Sequence, residues 1–473
     1  MMKFILKRIT FLAIILPLFV FLACSDDDDN GNVIEGTNSI VDYLNNNDQY
    51  SLFAQAVDQA GLNGRLNGNA GTYTFFAPPN TAMEVFLQET QFDSIGDMSQ
   101  EQALQLVSNH LLESLNFKDN FSTGYLKTLA TVPVNDSVTI NMSLFVDAID
   151  EPIFNGETKI TNADIEVDNG VFHEIDKVLK QPNLKTFLLA DENLTTFYNA
   201  ITEADITTDF ETILTDTSTY TSIFVPNQNA IDDFLQNTSN DVDRLDNIYR
   251  NHFLEGLQIS TDFETGFGAT QATENYTGND NPIDAYFNTQ LGLIVNGSAQ
   301  VVIPDIVAIN GVIHVTDNIV ELPSLATFIG ANSNMNTFTE ALNRDDQAMQ
   351  NYIDRLSEED IGATEAPYTV FGPDDNAFEE LLLELYPDNQ TADLATIPQD
   401  SLTNILNLHI IKETSLISDN FTNTSLESLG ATVQLNASDS TLVDMNSRSA
   451  KISPLNGQAT NGILHGLKSV LLP

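Results

Sequence analysis

The phrase NGVIHVTDNIVELP, Asn310 to Pro323, occurs again as NGVFHEIDKVLKQP from Asn169 to Pro182 and as NGILHGLKSVLLP from Asn461 to Pro473. A phrase repeated at this spacing is the signature of repeated structural units, so the chain is constrained to three of them. An Asn-Gly pair followed by alternating apolar residues predicts a β-hairpin whose two turn residues take positive φ. Each unit is therefore expected to close on a hairpin strand, with His173, His314 or His465 at a fixed place on it.

Other marks recur in the same order. The segments YSLFAQAV, LTTFYNAI and MNTFTEAL place Phe53 with Ala56 and Val57, Phe197 with Ala200 and Ile201, and Phe338 with Ala341 and Leu342 at helical spacing, which predicts one buried stripe. Next comes a strand ending on proline, where Phe76, Phe224 and Phe371 precede Pro78, Pro226 and Pro373 by two residues. Proline cannot donate to a ladder, so the strand stops there. Thr81 with Glu84, Asn229 with Asp232 and Asn376 with Glu379 predict helix caps just beyond. A second histidine sits among apolar neighbours in every unit: His110, His252 and His409. With two histidines in each unit, all six belong to the plan, and their apolar surroundings favour a structural role, with the imidazoles bonded internally.

This order of amphipathic helix, F-x-P strand, central histidine and NG-[VI]-x-H hairpin resembles the fasciclin-like domain, in three copies spanning Asn38 to Pro473. The resemblance implies an α+β class, each domain a wedge-shaped β-sandwich with several short helices, used outside the cell for adhesion. The expected domains are 38–182, 183–323 and 324–473, with boundaries near Pro182 and Pro323. The resemblance also implies partner contact at an Asp-Ile pair before the last hairpin. Unit one has Asp164 and Ile165, unit two has Asp305 and Ile306, and unit three has no such pair. Asp beside Asn-Gly is also ordinary turn chemistry, with Ile filling the core.

The N-terminus reads as an address. Lys3, Lys7 and Arg8 precede the apolar run Phe11 to Ala23, too short to span a bilayer, and then comes Cys24, the single cysteine of the chain. Residues 1–24 resemble a bacterial lipoprotein signal, which implies lipidation of Cys24 and a membrane anchor. Residues 25–37 open with SDDDD and resemble the acidic tether of surface-exported lipoproteins of the Bacteroidetes. The expected location is the outer membrane, facing outward. A calcium loop on Asp26, Asp28, Asn30 and Gly31 lacks the Glu at its last position.

With 18 basic and 67 acidic residues the net charge is -49, which excludes nucleic acid as a partner. No motif for a cofactor, a metal or a catalytic nucleophile occurs. Triplication itself favours binding over catalysis, because repeated modules raise avidity. The expected function is therefore a non-enzymatic surface adhesion or scaffold lipoprotein binding an extracellular protein or polysaccharide. The alternatives are a nutrient- or glycan-binding lipoprotein of an uptake system and, behind it, a hydrolase. A deep pocket in one unit only would favour the uptake reading, and shallow, similar surfaces in all three would favour adhesion.

Overall fold

The structure is a computed structural model describing residues 38–68, 72–135, 138–203, 205–239, 241–359 and 365–473. Cys24 and the acidic run after it lie outside the described residues. Each unit builds one seven-stranded sheet. Unit one uses β1 (Tyr73–Ala77), β2 (Leu111–Leu112), β3 (Gly124–Asn135), β4 (Val138–Asp147), β5 (Ile153–Phe154), β6 (Thr158–Val167) and β7 (Gly170–Ile175). Unit two uses β8 (Thr221–Pro226), β9 (Phe253–Glu255), β10 (Gly266–Thr273), β11 (Pro282–Asn288), β12 (Ile294–Val295), β13 (Ala299–Ala308) and β14 (Gly311–Thr316). Unit three uses β15 (Tyr368–Pro373), β16 (Ile410–Ile411), β17 (Thr424–Glu427), β18 (Thr432–Asn436), β19 (Thr441–Val443), β20 (Ser449–Ala459) and β21 (Gly462–Leu467).

In unit one the strand order is β2-β1-β7-β6-β5-β4-β3, and the other units repeat it. The long strand β6 serves both halves. Its start pairs with β5 and its end with β7, with a register shift between Asn162 and Ile165 where the strand bends. The bend folds the sheet over a core of Phe76, Leu144, Val146, Phe154 and Ile175, while a second core lies between β1, β7 and the helices. This is the α+β sandwich with short helices that the resemblance to the fasciclin-like domain implies.

The amphipathic segments form helices Ser51–Gln59, Glu192–Ile201 and Asn336–Asn343, with the Phe and Ala of each stripe buried. The caps after proline differ from the expected ones. Helices Asn80–Thr90, Gln228–Asn237 and Asp375–Leu385 begin earlier than Thr81, Asn229 and Asn376, so those residues lie inside the helices. Asn227 and Asp374 cap the second and third through Ala230 and Ala377, and Pro79 precedes the first. Pro226 and Pro373 are the last residues of β8 and β15, and Asn227 and Asp374 still donate to the closing strand at 2.8 and 3.2 Å, so each cap residue also ends the ladder.

The Asn-Gly turns also differ in detail. Gly170, Gly311 and Gly462 have φ of 159°, 158° and 150°, and no positive φ occurs at the asparagines. The turn lies one residue earlier, since Val167 already faces Gly170. Glycine is required by close approach: a Cβ on Gly311 would stand 1.9 Å from the carbonyl oxygen of Thr221 on the neighbouring strand. The asparagine is a tie. Asn310 accepts from the N–H of Leu184 at 2.9 Å and donates to the carbonyls of Leu214 and Asp216, both at 3.0 Å. Asn169 and Asn461 accept from Ile40 and Leu325 in the same way. Each closing strand thereby fixes the first helix of its own unit.

Those first helices, Ile40–Asn45, Leu184–Ala190 and Leu325–Ala331, start on capping boxes at Ser39, Asn183 and Ser324. The second and third pack on the preceding unit. Tyr125 of β3 faces Phe145 of β4 and meets Phe187 with ring centroids 5.6 Å apart. Phe267 of β10 faces Tyr286 of β11 and meets Phe328 at 4.8 Å. Phe145 belongs to the core of unit two and Tyr286 to the core of unit three, so successive units share apolar cores.

Candidate functional site

The parallel pairing of first and last strands brings two sequence motifs together. Phe76 is in register with His173, Phe224 with His314 and Phe371 with His465, with ring centroids 5.8, 5.4 and 5.5 Å apart. The other three histidines lie against the amphipathic helices, where His110 meets Phe53, His252 meets Phe197 and His409 meets Phe338. All six are fully buried.

Their hydrogen bonds assign two tautomers. In the central group Nδ1–H donates to a backbone carbonyl and Nε2 accepts an N–H. His252 donates to Phe224 O of β8 at 2.6 Å and accepts from Val320 N at 3.2 Å, whereas His110 and His409 donate to the helix carbonyls of Leu106 and Ile405, four residues back, and accept from Leu179 N and Leu471 N. The hairpin group is reversed. His173 donates through Nε2 to Asn116 O at 2.8 Å and accepts the N–H of Asp164 at Nδ1, 3.1 Å away. His314 does the same with Gln258 and Asp305. His465 donates to Leu416 O at 2.8 Å, and its Nδ1 has no partner among the described residues. Burial pushes His110, His252, His409 and His465 down to about 4 and lowers His173 and His314 as well. Charging any of these rings would cost desolvation and one accepted hydrogen bond wherever one is made, so the rings tie tails and loops to strands or helices in the neutral form.

Asp164 and Asp305 sit at the bend of β6 and β13 with φ of 58° and 62°. Each carboxylate caps a turn: Asp164 accepts from Lys118 N at 2.7 Å, and Asp305 accepts from both the N–H and the hydroxyl of Ser260 at 2.7 Å. Unit three has Asn456 at this position, with φ 51° and its Oδ1 on Ser418 N. Gly457 follows it because Phe267 of unit two fills the space, 2.6 Å from where a Cβ would stand. Ile306 is buried at the joint with unit one, out of reach of any partner, whereas Asp164 is exposed and Ile165 partly so. Among the described residues no cluster of His, Cys, Asp and Glu could hold a metal ion, and no helix is long and apolar enough to cross a membrane.

One concave feature repeats. Between the post-proline helix and the tail after the closing strand lies a shallow groove, floored by Ala82, Phe86 and Val178 in unit one. Ala230, Phe234 and Ile319 form it in unit two, and Ala377, Leu381 and Val470 in unit three. Its volumes are about 380, 420 and 180 Å³. The third is the smallest because the Arg448 guanidinium lies in it, bonded to Glu384, Asp444 and the carbonyl of Val470. No local pattern of residues points to this groove, since its walls are far apart in the chain.

The sequence profile of the fasciclin domain matches residues 48–182, 192–323 and 333–473. The chain belongs to the fasciclin family. The transforming growth factor-beta-induced protein ig-h3 of Oryctolagus cuniculus is 26% identical over 442 residues, 92% of this chain and 58% of that protein. The ig-h3 protein of Sus scrofa is 31% identical over 173 residues, 36% of this chain and 24% of that protein. Periostin of Homo sapiens is 24% identical over 381 residues, 79% of this chain and 40% of that protein. This fasciclin chain thus covers at most 58% of the length of these relatives. Among solved structures, a FAS1 domain pair from the insect cell adhesion molecule Fasciclin I aligns with 17% identity and a TM-score of 0.36, covering 59% of this chain and 97% of that one.

Proposed function

We propose that this fasciclin protein is a non-enzymatic surface adhesion or matrix protein that binds an extracellular protein or polysaccharide through repeated lateral surfaces. The observation that carries this reading is the shallow groove found at the same place in all three units. Each groove differs in its rim, with Lys177 and Lys180 in unit one, Asn318 and Glu321 in unit two, and Arg448 in unit three. A solute-binding protein concentrates its contacts in one deep cavity, whereas an adhesive array gains from several weak sites held at fixed spacing. Joints with shared apolar cores support the fixed spacing. The expected sequel to the N-terminal reading is a lipid on Cys24 that holds the array to the outer membrane facing outward. The test is binding of the soluble chain from Ser25 onward to a glycan array and to immobilised extracellular proteins. The reading expects weak, multivalent retention, and tight one-to-one capture of a small solute would overturn it.

A further inference from the structure

The two joints use the same socket, and unit one has a third copy of it. In units two and three the socket is Phe187 with Ile306 and Ala308, and Phe328 with Gly457 and Ala459, covered by the hairpin of the preceding unit. In unit one the same positions hold Tyr43, Ile165 and Val167, each only partly buried. A polar anchor is conserved in geometry. The hydroxyl of Tyr125 donates to Asp191 at 2.9 Å and that of Tyr286 to Asn332 at 3.2 Å. Asn47 stands at the same offset from its helix; it donates to Tyr43 O, and its Oδ1 accepts nothing among the described residues. The edge N–H of Val307 donates to Ser143 and that of Gln458 to Asp284, and Glu166 holds this position in unit one.

We infer that this end of unit one, built on Tyr43, Asn47, Ile165 and Val167, is a docking socket for the outer β-hairpin of a fasciclin domain from another chain, one carrying an aromatic pair and a lysine. The seated hairpins define the aromatic pair. The rim defines the charge: Asp164, Glu166 and Asp168 alternate along the edge of β6, where unit two has Asp305, Val307 and Ile309 and unit three has Asn456, Gln458 and Thr460. At the first joint Lys127 reaches across to the carbonyl of Asp305 at 2.6 Å, which marks where a lysine would meet this rim. Acidic residues along an open edge also turn away other strands, so the socket selects for a basic hairpin. A second copy of this chain does not fit. Its two aromatic hairpins are already seated, and the equivalent pairs in unit three are Ser425 with Gln434 and Glu427 with Thr432. The upstream run Asp26 to Asp29 carries the same sign as the rim, so it lacks the basic charge that the rim selects for.

The test gives unit three the missing hairpin. Ser425→Tyr, Gln434→Phe and Glu427→Lys are introduced together into the soluble chain from Ser25, and the mass is read by sedimentation. Ser425→Tyr with Gln434→Phe alone is the second variant, in case the lysine disturbs folding. The unmodified chain should sediment as a monomer, and either folded variant should assemble head to tail, with about a twofold or larger rise in weight-average mass. Adding Asn47→Arg or Ile165→Asp should restore the monomer with unchanged circular dichroism. Folded variants that stay monomeric, or an assembly indifferent to both socket substitutions, would overturn the inference. So would self-association of the unmodified chain through Tyr43, or assembly that appears only once residues 25–37 are removed.

Discussion

The hydroxyl of Tyr125 in unit one donates at 2.9 Å to the carboxylate of Asp191, which caps the helix Glu192–Ile201 of unit two. One side chain thus couples the outer hairpin of a unit to the interior of the next. Asp191 is buried and Tyr125 partly so, and Asp191 keeps its bonds to Asn193 if the hydroxyl is lost. Tyr125→Phe is therefore expected to cost about 1.5 kcal/mol, as a hydrogen bond to a charged group does. The cost should be read as a lower urea midpoint for the transition that includes units one and two, with unit three unaffected.

His252 holds β8 to the tail through two backbone bonds, and His314 holds the bend of β13 to the loop at Gln258. Replacing either by Ala leaves buried backbone groups unpaired, at a cost of about 1–3 kcal/mol. The expected readout is a lower thermal midpoint. Binding should fall only as far as folding does. An unchanged midpoint with lost binding would make the histidine a ligand-contacting group.

Two sets of buried groups give opposite pH dependences. His110, His252, His409 and His465 titrate near 4 in the folded chain against an ordinary 6.5, so their contribution to stability is present above 6.5 and is lost as pH falls through about 4. Asp284, partly buried at the second joint, is raised by desolvation to about 6 from 3.8, partly offset by the N–H of Gln458. Its contribution is present below 3.8 and is lost as pH rises through about 6. Asp284→Asn removes that term, so its urea midpoint should gain on the unmodified chain between pH 4 and pH 7. A constant difference across that range would contradict the assignment.

The repeat, the amphipathic stripes and the proline-terminated strands were legible because each is encoded within a few consecutive residues. What escaped lies between distant ones. Asn310 reads locally as a turn residue, yet its bonds run to Leu184, Leu214 and Asp216. Tyr125, Phe145, Phe267 and Tyr286 read as ordinary strand aromatics, because nothing nearby in sequence says that a helix of the next unit covers them. Asn456 was overlooked as the third member of the Asp164 and Asp305 set because it lacks the following Ile, whose room Phe267 takes.

The proposed anchor has its own test. Cys24→Ala should move the protein from the detergent-requiring membrane fraction to the soluble one, since several acyl chains hold far more firmly than the acidic surface, which is repelled by anionic headgroups. Retention of the variant in the membrane fraction would contradict lipidation at Cys24.

The claim that binding is spread over equivalent lateral surfaces is tested most directly by placing one charge in each groove. Val85, Asp233 and Glu380 occupy the same exposed position on the three groove helices. Val85→Arg, Asp233→Arg and Glu380→Arg are made singly, in pairs and together, and retention on the protein or polysaccharide surface that holds the unmodified chain is measured. The account predicts a stepwise loss, with each further substitution shortening the residence time and only the triple variant abolishing retention. Abolition by one single substitution, with the other two without effect, would place binding in a single unit and contradict the account.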